Sequence, residues 1–84
     1  MLEDIAERME LPAEALLGAA KLSVTAGKRA VVENHRGVLE YSPLHIVIGT
    51  SRGKLSISGS DLIIRAMNKT ELLITGRIQT AEWD

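Results

Sequence analysis

Chemistry at neutral pH needs a base, an activated nucleophile or a set of metal ligands, and this chain offers few of them. His35 and His45 are its two histidines, and it has no cysteine. A hydrolytic triad would need one of them beside a serine and an orienting acid. Neither lies near a nucleophile-elbow sequence, and a histidine in a turn is ordinarily just solvated. A metal site needs several ligands converging at short spacing, which two histidines alone do not supply. Glu33 and Glu40 flank an expected hairpin and could face each other as an acid–base pair. Two ordinary exposed strand residues would look the same. The glycines stand singly, so no phosphate-cradling loop is present. Tyr41 is the one aromatic expected within the sheet, too few for base stacking on a nucleic acid. Asn68-Lys69-Thr70 matches a glycosylation sequon, which carries no weight without a secretory route. These residues predict no enzyme, no metal and no cofactor.

The elements around them are legible from hydrophobic period. Leu2, Ile5, Ala6 and Met9 follow one helical face with acids on the other. Pro12 to Leu17 reads as a second short helix, stopped by Gly18. Residues 1–18 are therefore expected to be an acidic helical lead. From Lys21 the period becomes 2, and residues 19–84 read as a β domain. Leu22 to Thr25, Arg29 to Glu33, Val38 to Tyr41, His45 to Ile48, Lys54 to Ser58, Leu62 to Met67 and Leu72 to Ile78 give about seven short strands. The predicted fold is mainly β, an antiparallel meander forming a sandwich or roll. A faint echo, Ile57-Ser-Gly59 against Ile74-Thr-Gly76, allows a short β-solenoid stack as the alternative.

Turn residues punctuate these strands. Asn34 and Gly37 take the first and fourth places of a type I turn, and Gly53 and Gly59 mark later links. In a meander the turns near Arg36, Arg52 and Lys69 would share one end of the sheet, and those near Lys28, Pro43 and Gly59 the other. The first end is basic. The 84-residue chain has net charge −1, but residues 1–17 carry five acids against Arg8, leaving a basic remainder. The acidic lead or a partner could cover that end. Aliphatic alternation also places Val47, Ile63 and Leu73 on the second face of the sheet, where a helix, a second sheet or another subunit must cover them. With 45% hydrophobic residues but no Phe, the core must be aliphatic. No apolar run approaches a membrane span, and no signal-like start precedes one. Direct membrane insertion is therefore not expected, and the default location is cytoplasmic.

The segment Val32-Glu-Asn-His-Arg-Gly-Val-Leu-Glu-Tyr41 resembles the hallmark of the YabP/YqfC family of sporulation proteins. Arg52 to Gly59, Asp61 to Arg65 and Glu71 to Ile78 resemble its later strands, and the lead with Leu11-Pro12 favours the YqfC branch. The resemblance implies a non-enzymatic role in the mother cell during spore formation, at or near the forespore-surrounding membrane. It also implies a membrane-protein partner of the YqfD type, and it supplies no catalytic residue or cofactor. The expectation is a scaffold that self-associates as a homo-oligomer, docks to that partner, or both. A small module holding an anion or lipid headgroup is the alternative. His35, Arg36, Arg52 and Lys69 are the candidate partner-binding residues, and Val47, Ile63 and Leu73 the candidate oligomer face.

Overall fold

The computed structural model describes residues 18–84, so the expected helical lead lies outside the described residues apart from Gly18. Six strands follow: β1 (Lys21–Thr25), β2 (Arg29–Glu33), β3 (Val38–Tyr41), β4 (His45–Thr50), β5 (Gly53–Met67) and β6 (Glu71–Trp83). They form one open sheet in the order β1-β2-β6-β5-β4-β3, with every pair antiparallel. The fold is mainly β, as the period predicted. The sequence expectation needs three corrections.

The first concerns strand number. Lys54 to Ser58 and Leu62 to Met67 are two halves of one strand, β5, and Gly59 to Asp61 is a corner within it. Asp61 sits at φ 56° and the register slips between Ser60 and Ile63. One extra residue in a strand reverses the side-chain alternation beyond it. Leu55 and Ile57 face the core before the corner, and Leu62 does so after it. β6 turns the same corner at Gly76, φ 140°. A Cβ on Gly59 would collide with the Arg77 carbonyl, and one on Gly76 with the Asp61 carbonyl. Glycine is there because two backbones cross closely.

The second correction concerns connectivity. β2 pairs with β6, not with β3, so the meander breaks once. Asn34 to Gly37 is no hairpin turn but a strap that crosses from one limb of the bent sheet to the other. Both limbs feed one core. Ala30, Val32, Leu62, Leu72 and Ile74 come from one, and Ile46, Ile48, Leu55 and Ile57 from the other. The sheet is thus folded over on itself, with aliphatic side chains filling the bend.

The third correction concerns the echo around Gly59 and Gly76. It is not a solenoid, since neighbouring strands run antiparallel throughout. It marks a pseudo-two-fold instead. Hairpin β1–β2 pairs with β6 through Ala30↔Ile74 and Val32↔Leu72, and hairpin β3–β4 pairs with β5 through Ile46↔Ile57 and Ile48↔Leu55. Each hairpin turn then staples the corner of its long neighbour. The Gly27 and Lys28 carbonyls accept from Ile78 N–H and Gly76 N–H at 2.8 and 3.1 Å. The Pro43 and Leu44 carbonyls accept from Leu62 N–H and Gly59 N–H at 2.9 and 3.0 Å. Amides freed from the ladder by the corners are satisfied this way, as buried backbone must be.

Two substitutions of opposite sign test this account. Gly76→Ala should lower the unfolding free energy by about 2–4 kcal/mol, because strained φ and backbone collision act together. Ala26 occupies the first central place of the β1–β2 turn at φ 56°, with Gly27 at 64° and Lys28 N–H on the Thr25 carbonyl at 3.0 Å. That geometry prefers Asn, so Ala26→Asn should raise stability by about 0.5–1 kcal/mol. Urea titration reads both, and a neutral Gly76→Ala would remove the corner argument.

Candidate functional site

The strap concentrates the sequence's most distinctive residues, and its geometry begins with His35. That side chain is 6% exposed and is the one buried polar or charged side chain among the described residues. Gly37 N–H donates to its Nδ1 at 2.9 Å, and its Nε2 lies 2.9 Å from the Asn68 carbonyl oxygen. An N–H donor on Nδ1 leaves the ring proton on Nε2, which donates to Asn68. Both nitrogens are engaged, and no lone pair is left for a metal or a proton transfer.

Asn68 is held in place for this role by its own turn. Its Oδ1 accepts from Thr70 N–H at 2.8 Å and Glu71 N–H at 2.7 Å, the local bonding that suits asparagine to turns. The strap backbone is tied on both sides. Asn34 N–H donates to the Thr70 carbonyl at 2.6 Å, and Arg36 N–H to the Gly49 carbonyl at 2.7 Å. Asn34, at φ 61°, also donates from Nδ2 to the Ala19 carbonyl at 2.9 Å. Strap, β5–β6 turn and β4 are thus one hydrogen-bonded unit. Tyr41 closes the far side, its hydroxyl reaching the Leu62 carbonyl and the Ile64 N–H at 3.4 Å each.

Above the strap lies a cleft of about 260 Å³ lined by Gly18, Asn34, His35, Arg36, Lys69 and Thr70. Arg36 and Lys69 are exposed at its rim. Arg52 sits in the adjoining β4–β5 turn, whose Ser51 Oγ donates to the Gly18 carbonyl at 2.8 Å. The three basic residues therefore gather around one end of the fold. Strand parity predicted that gathering from a meander; the folded-over β5–β6 pair produces it by another route. Two cations over a floor of satisfied backbone could attract an anion.

The other candidates separate. Glu33 lies on β2 opposite Glu71, while Glu40 lies on β3, so the two do not face each other and the reading of them as ordinary strand residues stands. Glu40 instead approaches His45 at 3.8 Å on an exposed surface. No cluster of His, Asp or Glu able to hold a metal occurs among the described residues. Val47 is 7% exposed and lies on the limb opposite Ile63 and Leu73, so the three share no patch. The sequence reading missed the structural task of His35. Its signal was the Asn68 turn, whose carbonyl is the acceptor.

The family model described as YabP matches residues 17–84, four-fifths of the chain and every described residue. The chain belongs to the YabP family. It is also 25% identical over 75 residues to the Bacillus subtilis (strain 168) protein called "Uncharacterized protein YqfC", covering 89% of this chain and 81% of that one. No solved structure matches. Within this YabP-family chain, the hallmark-like segment Val32 to Tyr41 is the strap with its flanking strands, which gives those residues a folding role.

His35 and Arg36 should therefore differ sharply on substitution. His35→Ala orphans the Gly37 N–H and the Asn68 carbonyl beside a new void, and should lower stability by about 2–4 kcal/mol. Arg36 contributes only its backbone to the strap, so Arg36→Ala should change stability by less than about 0.5 kcal/mol. Chemical denaturation compares them, and hydrogen exchange at Gly37 should rise only in the first. The reverse ranking would sink the assignment.

Proposed function

We propose that this YabP-family protein is a non-enzymatic structural module of spore formation. In this reading it acts in the mother cell, self-associating and docking to a YqfD-type membrane protein at the forespore-surrounding membrane. The observation that carries the proposal is the state of His35. The residue best suited to chemistry has both ring nitrogens engaged by main chain, so the polar groups of the hallmark segment serve the fold. What remains at the surface is suited to contact: exposed Leu39, Leu44, Ile63, Met67 and Trp83, and the basic rim of Arg36 and Lys69. Among the described residues no helix is long and apolar enough to cross a membrane.

Co-purification of the full chain with the YqfD-type protein from detergent extracts tests the docking, and sedimentation tests the self-association. A chain that stays monomeric and is never retained by that protein would overturn the reading. A second reading is favoured by the cleft alone: Arg36 and Lys69 hold an anion such as a lipid headgroup. Vesicle flotation would then require anionic lipid, weaken with salt, and drop several-fold in an Arg36→Ala, Lys69→Ala double variant. Flotation indifferent to lipid charge would remove it.

A further inference from the structure

The outward face of the limb built by β1, β2, β6 and the second half of β5 has an ordered composition. Its middle row runs Val31–Leu73–Ala66, three neighbours paired across β2, β6 and β5. With Met67 these apolar residues line a shallow groove of about 220 Å³. Two residues along the strands in one direction lies a basic row. Arg29 pairs with Thr75 and Thr75 with Ile63, and Arg65, in the bulge between Ile64 and Ala66, joins the row through its side chain, Nε donating to the Thr75 hydroxyl at 3.0 Å. Two residues in the other direction lies an acidic row, where Glu33 sits directly opposite Glu71. Like charges facing each other across a ladder destabilise it. Lys21 at the edge is Glu33's partner on β1 and offsets it in part. No described residue forms an ion pair with Arg29, Arg65, Glu33 or Glu71.

A stripe of apolar residues between a positive and a negative row is complementary to itself. Two such faces related by a two-fold axis along the stripe keep each strand opposite its own copy and exchange the rows. Arg29 then meets Glu33 of the second copy, and the Arg65 side chain, carried from β5 over β6 by its bond to Thr75, meets Glu71 of the second copy, while Val31, Leu73 and Ala66 pack on the axis. We infer that this face is an isologous dimer interface whose occupant is a second copy of the chain. The inference rests on the self-association proposed above and gives it a surface: Ile63 and Leu73 belong to it, and Val47 does not. Four short strands make a patch at the low end of specific interface sizes, so association should be of about micromolar strength.

Sedimentation equilibrium of the full chain tests it, with circular dichroism confirming that each variant is folded. Arg29→Glu and Glu33→Arg lie on the exposed face, and each alone should weaken self-association at least tenfold by placing like charges opposite each other. Mixed together, the two variants should form a heterodimer near the affinity of the unaltered chain, because both Arg–Glu pairs are restored across it. Continued self-association of both single variants, or no heterodimer on mixing, would overturn this face while leaving self-association through another surface standing. A chain monomeric up to about 1 mM would overturn the dimer itself, and the scaffold reading would then stand or fall on co-purification with the membrane protein.

Discussion

The four-residue strap between β2 and β3 dictates the shape of everything else. In the sheet these two strands stand four positions apart, with β6, β5 and β4 between them. Neighbouring strands are about 4.8 Å apart, so in a flat sheet the gap would be about 19 Å. The chain from Glu33 to Val38 reaches about 17 Å even when fully extended, and Asn34 and Gly37 at φ 61° and 108° shorten it further. A flat sheet is therefore closed to this sequence. The sheet has to curl until its two limbs meet, and the buried His35 hydrogen bonds hold the strap where they do.

The curl in turn needs corners in the two longest strands, and corners release amides from the ladder. The pseudo-two-fold resolves this locally. Each hairpin supplies two carbonyls to the corner of the long strand it pairs with, so both bends are capped by the same device. The equivalence extends to Arg36-Gly37 and Arg52-Gly53, which follow β2 and β4 in turn. One of these segments became the strap and the other a tight turn, and both present an arginine at the same end of the molecule.

Alternation made the first half of β5 legible, and the β-branched run of β2 and the continuous apolar run of β4 marked those strands and the aliphatic core. It could not show that Gly59 to Asp61 is a corner, because glycine and aspartate there look like an ordinary turn. The deciding fact is a backbone crossing with Gly76, a residue distant in sequence. The strap misled for a related reason. Asn34 and Gly37 do adopt positive φ, as turn residues would, but which strand Val38 joins depends on long-range pairing. At the site, strand parity put Arg36, Arg52 and Lys69 together only by counting β5 as two strands, and His35 was not legible, since its partner Asn68 is distant in sequence and engages it through main chain. The charge rows flanking Val31 and Leu73 were hidden because they form only when β2 lies beside β6.

That β2–β6 pairing also bears on how fast the molecule can form. Val32 meets Leu72, and the ladder between them cannot assemble until the intervening chain has been gathered in. Loop-closure entropy must be overcome before these contacts contribute anything. Hairpins β3–β4 and β5–β6 involve near neighbours and can form early. The first hairpin has no partner until β6 exists. A nascent chain would present β1 and β2 before their docking site has been synthesised, so the amino-terminal hairpin waits longest with its apolar side uncovered. Folding on the slow, millisecond-to-second side of small domains follows from topology alone.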